Sequence, residues 1–192
     1  MTLIDGINRM LRYLGELPVP NDIAIDDLPE GHEAVMARTI LEETIREEQE
    51  NKWWFNWFKQ TYTPNNSGYI TIGNNIIALE ATTTRSRYLV NGNDLYDVNN
   101  QTKVFTEPTT LNILVEVKFD DLPQVFQTYV ILIAAKHLHV YLNGDETTQR
   151  ELEIKIQGQR HKVDKEDMKY SNFNLIKGSK LIDRSSNPEP LA

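Results

Sequence analysis

Four kinds of residue in this chain have the type and spacing to raise a chemical hypothesis: closely spaced histidines, paired carboxylates, turn-like Asn-Gly-Asp strings and a tryptophan cluster. His137-Leu138-His139 places two imidazoles two residues apart. On a helix such residues leave different faces, so the pair is poorly placed to close on one metal ion and reads better as core-edge or interface histidines. His32 and His161 stand isolated in charged stretches. The acid pairs are Asp26-Asp27, Glu42-Glu43, Glu47-Glu48 and Asp120-Asp121. Hydrolysis of a glycoside needs two carboxyls about 5–10 Å apart across a cleft, with unequal proton affinities. Adjacency in sequence supplies neither. Asn91-Gly92-Asn93-Asp94 and Asn143-Gly144-Asp145 look like pieces of calcium loops but lack the full acidic spacing, so they read as turns. The chain has no cysteine, which removes thiol nucleophiles, disulfides and Cys-type zinc sites. Gly-x-Ser-x-Gly, Walker, dinucleotide and His-Glu-x-x-His motifs are absent. No cofactor, metal or catalytic residue is expected.

All three tryptophans sit in Trp53-Trp54-Phe55-Asn56-Trp57-Phe58. Exposed indoles would form a platform for sugar rings. Read as a strand, the segment sends Trp54 and Phe58 to one face and Trp53, Phe55 and Trp57 to the other. A strand apolar on both faces is normally covered on both sides, and this structural reading is preferred.

The elements that must carry these residues follow from periodicity. Leu3, Ile4, Ile7, Met10, Leu11 and Leu14 predict a short amphipathic helix stopped at Gly15. A loop with Pro18, Pro20 and Pro29 leads to a second helix from about Glu30 to Lys52, with a narrow stripe of Ala34, Ala37, Ile40, Leu41 and Ile45. Its other face carries Glu42, Glu43, Glu47, Glu48 and Glu50. Short strand-like pieces follow: Tyr69–Ile72, Ile76–Leu79, Tyr88–Val90 and Leu95–Val98, with Asn-Gly as a hairpin signal. Leu111, Ile113, Val115, Val117 and Phe119 alternate on one face of a closing strand. Asp120-Asp121-Leu122-Pro123 starts a third helix whose centre, Tyr129 to Ala135, is apolar all round. Asp145 caps a fourth helix to about Lys169, where only Leu152, Ile156 and Val163 form a stripe and Ile154 falls off it.

The expected fold class is α+β. It comprises a helical body (residues 1–58 and 120–169), a β-rich insertion (59–119) and an extended C-terminal arm (170–192). The arm carries Phe173, Leu175, Ile176, Leu181 and Ile182 among polar residues and cannot form a core alone. With 192 residues the chain can bury roughly 70% of its unfolded surface without a staple. Its 28 acids against 20 bases, a net charge of −8, argue against a conventional duplex-DNA binder. The N-terminus lacks the pattern of a signal peptide, and the longest apolar run is far short of the ~20 residues of a membrane span. A soluble protein made in a cytoplasm, with no membrane partner, is expected. The sparse stripe of the fourth helix, Leu152, Ile156 and Val163, together with interleaved charges and a tail of spaced apolar anchors, predicts side-to-side contacts in a homo-oligomer.

Several segments, in order, resemble one known family. Met10-Leu11 followed by Leu14-Gly15-Glu16-Leu17-Pro18-Val19 is similar to that family's opening Leu-Gly-Glu-x-Pro-Val segment. Ala34, Ala37, Leu41 and Gln49 follow, then Trp54-Phe55-Asn56, which resembles a Gly-Trp-x-Phe-Asn helix exit with Trp53 where glycine is usual. Phe119-Asp120-Asp121-Leu122-Pro123, Phe126, Tyr129, Ile131, Ala134 and Ala135 resemble its Leu-Pro-x-x-Phe-x-x-Tyr-Ile helix, and Tyr170-Ser171-Asn172-Phe173-Asn174-Leu175 its aromatic-Asn segment. The family is tail tubular protein A of short-tailed bacteriophages. The resemblance covers the chain nearly end to end, while residues 65–108 match in length and hairpin character more than in residues.

The resemblance implies a non-enzymatic virion component at the head–tail junction, assembled in the host cytoplasm. It implies a twelve-fold adaptor ring between the portal protein and the tail nozzle (tail tubular protein B), with tail fibre protein held outside and DNA passing through the lumen. It also implies that the arm residues Phe173, Leu175, Ile176, Leu181 and Ile182 reach the portal. Acids facing the lumen, with Glu42, Glu43, Glu47 and Glu50 as candidates, would let phosphates slide. The alternative is a carbohydrate-binding tail component built on the β insertion and its tryptophans, or a carbohydrate-hydrolysing one that uses paired acids.

Overall fold

A computed structural model describes residues 1–20, 27, 33–142 and 144–170. The arm residues from 171 onward, His32 and most of the proline loop lie outside the described residues. The α+β reading holds. Among the described residues, four α-helices, α1 (Leu3–Tyr13), α2 (Glu33–Gln49), α3 (Gln124–Leu142) and α4 (Glu146–Tyr170), accompany five short strands: β1 (Trp57–Tyr62), β2 (Ile76–Ala81), β3 (Tyr88–Asn91), β4 (Asp94–Asp97) and β5 (Thr109–Val115). The chain divides into two compact units. One comprises Met1–Asn51 and Lys118–Asp167, the other Lys52–Val117 with the end of α4 from Met168.

The helical unit is organised on α3. A helix apolar on every side must be covered on every side, and Phe126, Tyr129, Val130, Ile131, Leu132, Ala134, Ala135 and Leu138 are all buried. Its length and composition would suffice to cross a membrane, yet in this fold those side chains form the interior of the unit. α1 contributes Ile7, Met10 and Leu11, α2 contributes Ala34, Ala37, Leu41 and Ile45. The termini of α1 use standard local chemistry. Thr2 Oγ1 accepts from the Asp5 N–H at 3.3 Å while Asp5 Oδ2 accepts from the Thr2 N–H at 3.0 Å, a capping box. At the other end Gly15 takes φ +77°, and the Glu16 N–H donates to the Leu11 carbonyl at 3.0 Å.

Three buried amides, none suggested by periodicity, lock the remaining chain onto these helices. Asn8 bonds the Val19 backbone twice, donating to its carbonyl at 2.8 Å and accepting from its N–H at 2.7 Å. Gln127 donates to the carbonyls of Phe119 (2.7 Å) and Met1 (3.1 Å). Gln159 of α4 donates to the Val125 carbonyl of α3 at 2.8 Å. Each satisfies backbone groups that would otherwise be buried unpaired.

In the other unit β5 is the central strand of an antiparallel sheet ordered β1-β5-β2, and β3 and β4 form a separate hairpin. Leu111 and Ile113 of β5 pack with Ile70, Ile72 and Leu95, flanked by Phe58, Tyr62, Leu79, Tyr88 and Phe105. Three expectations are corrected here. β5 stops at Val115, and Phe119 belongs to a single 3-10 turn (Phe119–Asp121) in the helical unit. The piece Tyr69–Ile72 makes only isolated bridges, Tyr69 with Val104 and Thr71 with Asp94, because turns at Gly68 and Gly73 leave too few residues for a ladder. The hairpin loop is Gly92-Asn93 between the pair Asn91 and Asp94, with positive φ at Gly92 only, so it has a type II′ pattern rather than an Asn-Gly turn.

Packing around Gly6 makes a direct test. A Cβ at this position would lie 2.9 Å from Phe119 Cζ and 3.3 Å from Leu41 Cδ2. Gly6→Val should therefore lower the unfolding free energy by about 1–3 kcal/mol. Urea titration checks this, and an unchanged midpoint would mean that the Phe119 ring moves aside freely.

Candidate assembly surfaces

The aromatic cluster is not a strand. Trp53–Asn56 form a turn after a left-handed Lys52 (φ +55°), and β1 begins only at Trp57. The buried Asn56 side chain sets this geometry, its Oδ1 accepting from the Trp53 N–H at 2.9 Å, while the Trp57 N–H returns to the Trp53 carbonyl at 3.1 Å. The alternation of faces expected for a strand is thereby lost. Trp53 and Trp57 are each only 3% exposed. Trp54 is half-buried, meets Phe55 edge-on and stacks on Tyr170 at 6.1 Å. The three indoles present no flat exposed array for sugar rings.

The histidines and acids also fall into structural places. His137 is exposed while His139 is buried, as residues two apart on a helix require. His139 Nε2 lies 3.0 Å from Asp145 Oδ2 and 3.2 Å from the Asp145 carbonyl oxygen. Asp145 Oδ1 caps α4 by accepting from the Thr148 N–H at 2.8 Å, and that bond holds its carboxyl below the usual aspartate range. Asp97 is buried for a local reason, since its carboxylate accepts from Asn99 and Asn100. Among the described residues no three His, Asp or Glu side chains converge as metal ligands would.

One ionic cluster joins three helices. Arg160 of α4 donates from Nη1 to Tyr129 Oη of α3 at 2.9 Å and from Nε to Asp164 Oδ1 at 3.1 Å. The same Nη1 lies 3.8 Å from Glu48 Oε2 of α2, and the guanidinium sits 5.5 Å from the Tyr129 ring centroid. Burial pushes the Glu48 carboxyl up, and the opposing pull of Arg160 and of the Tyr129 hydroxyl does not cancel it. Burial likewise raises the Tyr129 phenol. Glu48 was expected on the solvated face of α2 and instead is turned inward.

The residues expected to contact partners separate clearly. Leu152 and Val163 are buried within the chain itself, and Ile156 is half-buried. Gln159 and Asp167, also buried, complete their stripe, which is why it looked sparse. The outward side of α4 carries Ile154, 71% exposed, with Lys155, Gly158, His161, Lys162 and Lys165. Glu42, Glu43, Glu47 and Glu50 are all exposed on α2 or just past its end. Leu17, Val140 and Tyr141 add exposed apolar area to the helical unit. The arm residues Phe173, Leu175, Ile176, Leu181 and Ile182 lie outside the described residues.

Two measurements test the Arg160 cluster. Arg160→Ala should destabilise the protein by about 2 kcal/mol, the scale of losing hydrogen bonds to charged partners. The folded protein also holds the Glu48 proton more tightly than the unfolded chain does. Stability relative to Glu48→Gln, which cannot titrate, should therefore fall as pH rises through and above the usual glutamate range. A relative rise with pH in urea unfolding would show that the attraction to Arg160 outweighs desolvation.

A family described as "Tail tubular protein" matches residues 4–173. Tail tubular protein A of Klebsiella phage KP34 is 31% identical over 143 residues, which cover 74% of this chain and 73% of that protein. The match to the family takes in α1 from its second residue and every other helix and strand named above. The chain therefore belongs to the tail tubular protein A family and is a structural component of a phage tail.

Proposed function

We propose that this chain is the adaptor subunit of the head–tail junction. Twelve copies would form a ring between the portal protein and the tail nozzle, its lumen part of the route of DNA ejection and its outer side an anchor for tail fibres. The observation that carries this reading is membership of the family over residues 4–173. The surface supports it. Leu17, Val140, Tyr141 and Ile154 are exposed and available for contact with neighbouring proteins. The exposed acids Glu42, Glu43, Glu47 and Glu50 and the charged outer side of α4 remain for a channel wall or a neighbouring copy. With a net charge of −8 the assembled ring would let DNA slide rather than hold it.

Sedimentation velocity and particle averaging, with and without purified portal rings, test the assignment. The expected outcome is a closed ring that caps the portal. A chain that stays monomeric and never joins portal rings would overturn it. Deleting residues 171–192 should leave the helical unit folded and weaken portal binding, because Phe173, Leu175, Ile176, Leu181 and Ile182 are assigned to that contact. Unchanged affinity for the portal would remove the arm from the interface.

A further inference from the structure

We infer that copies of this chain meet head to tail through opposite charges, the basic outer side of α4 on one copy lying against the acidic outer side of α2 on the next. The inference rests on the ring reading above and names the surfaces that would build it. The chain is acidic as a whole, yet between Ile154 and Lys165 every exposed charged side chain on α4 is a lysine: Lys155, Lys162 and Lys165, with His161 beside them. The one acid in that stretch, Asp164, is half-buried and bonded to Arg160. Lys155 sits over the Tyr13 ring at 5.3 Å, whereas Lys162 and Lys165 carry no ion pair among the described residues. Between them the face holds Ile154, 71% exposed, and Gly158, where an added Cβ would meet nothing within 4 Å. Glycine weakens a helix interior, and here it leaves a shallow place for another backbone to approach beside an apolar contact.

α2 carries the complementary sign. Glu43, Glu47 and, just past the helix end, Glu50 are exposed and have no ion pair among the described residues, Glu42 is held by Arg38 at 3.0 Å, and Arg46 is the one exposed base on that side, so acids predominate there. Within one copy the two faces cannot neutralise each other. α2 turns Ala34, Ala37, Leu41 and Ile45 inward and α4 turns Leu152 and Val163 inward, so both charged sides look outward. A surface that matches a different surface of the same molecule makes a heterologous contact, and repetition of such a contact closes a ring when the rotation permits. Single exposed pairs are weak, but a row of them fixes register and rejects like-charged approaches.

The test is a charge exchange in the full chain. Lys162→Glu with Lys165→Glu, and separately Glu43→Lys with Glu47→Lys, alter only exposed side chains, and circular dichroism verifies that each variant folds. Each pair should raise the concentration needed for half-assembly by about tenfold or more. Combining all four substitutions in one chain should restore assembly. Mixing the two double variants should also restore it, as rings with equal numbers of each seen by native mass spectrometry. A general effect of net charge would instead move the two variants in opposite directions, and that result would overturn the proposal. So would wild-type-like assembly of both double variants, which leaves the ring reading intact. Assembly kept by Lys162→Glu/Lys165→Glu with loss of duplex-DNA retention would assign the lysines to nucleic acid and equally overturn it. A wild-type chain that never assembles ends both readings.

Discussion

A nineteen-residue helix with apolar side chains on every side is the constraint from which the helical unit follows. Such a helix is unstable in water unless neighbours wrap it, and the burial of Phe126, Tyr129, Val130, Ile131, Ala134, Ala135 and Leu138 is what wrapping achieves. The neighbours are not themselves strongly apolar. α2 brings small residues, Ala34 and Ala37, which allow close approach, and α4 brings only Leu152 and Val163 as fully buried apolar contacts. The rest of the join is polar. Arg160 reaches Tyr129, Asp164 and Glu48, Gln159 caps a carbonyl of α3, and Lys136 pairs with Glu153. Directional bonds of this kind specify a register that a few methyl groups would leave loose.

The β-containing unit rests on a different constraint. One strand, β5, is paired on both sides, and its Leu111 and Ile113 anchor a cluster shared with the β3–β4 hairpin and the bridged segment at Ile70 and Ile72. Short strands with few ladder bonds need such a cluster to persist. The turn at Trp53–Asn56 brings the chain into β1, and it buries two of the three tryptophans while doing so. The cluster is thus consumed in shaping the start of the sheet.

These interior demands leave a particular exterior. Because the apolar stripe of α4 is closed inside the chain, its outer side is free to carry lysines around Ile154 and Gly158, and α2 is free to carry glutamates. A structural tail component works through its contacts, so the informative surfaces are the outer helix faces, lysine-bearing on α4 and predominantly acidic on α2. One of the acid pairs that suggest catalysis in a linear reading is divided by the fold. Glu47 is exposed and Glu48 is turned inward, so neighbours in sequence serve different ends.

Sequence by itself determined the element types wherever a period ran long enough: α1 with its Gly15 stop, the all-round apolar α3, the Asp145 cap of α4, and the β character of the middle. It also carried the ordered motifs that mark the family. Tertiary structure alone decided what depends on meeting another element. Asn8, Gln127 and Gln159 became buried clasps because backbone groups far away in sequence required partners. The tryptophan segment became a turn because the Asn56 side chain closes on the Trp53 N–H, a local bond that aromatic propensity does not reveal. Leu152 and Val163 went into the chain's own core because Gln159 and Asp167, invisible to an apolar count, complete their stripe. Periodicity reports which side of an element avoids water, and only packing shows what covers that side.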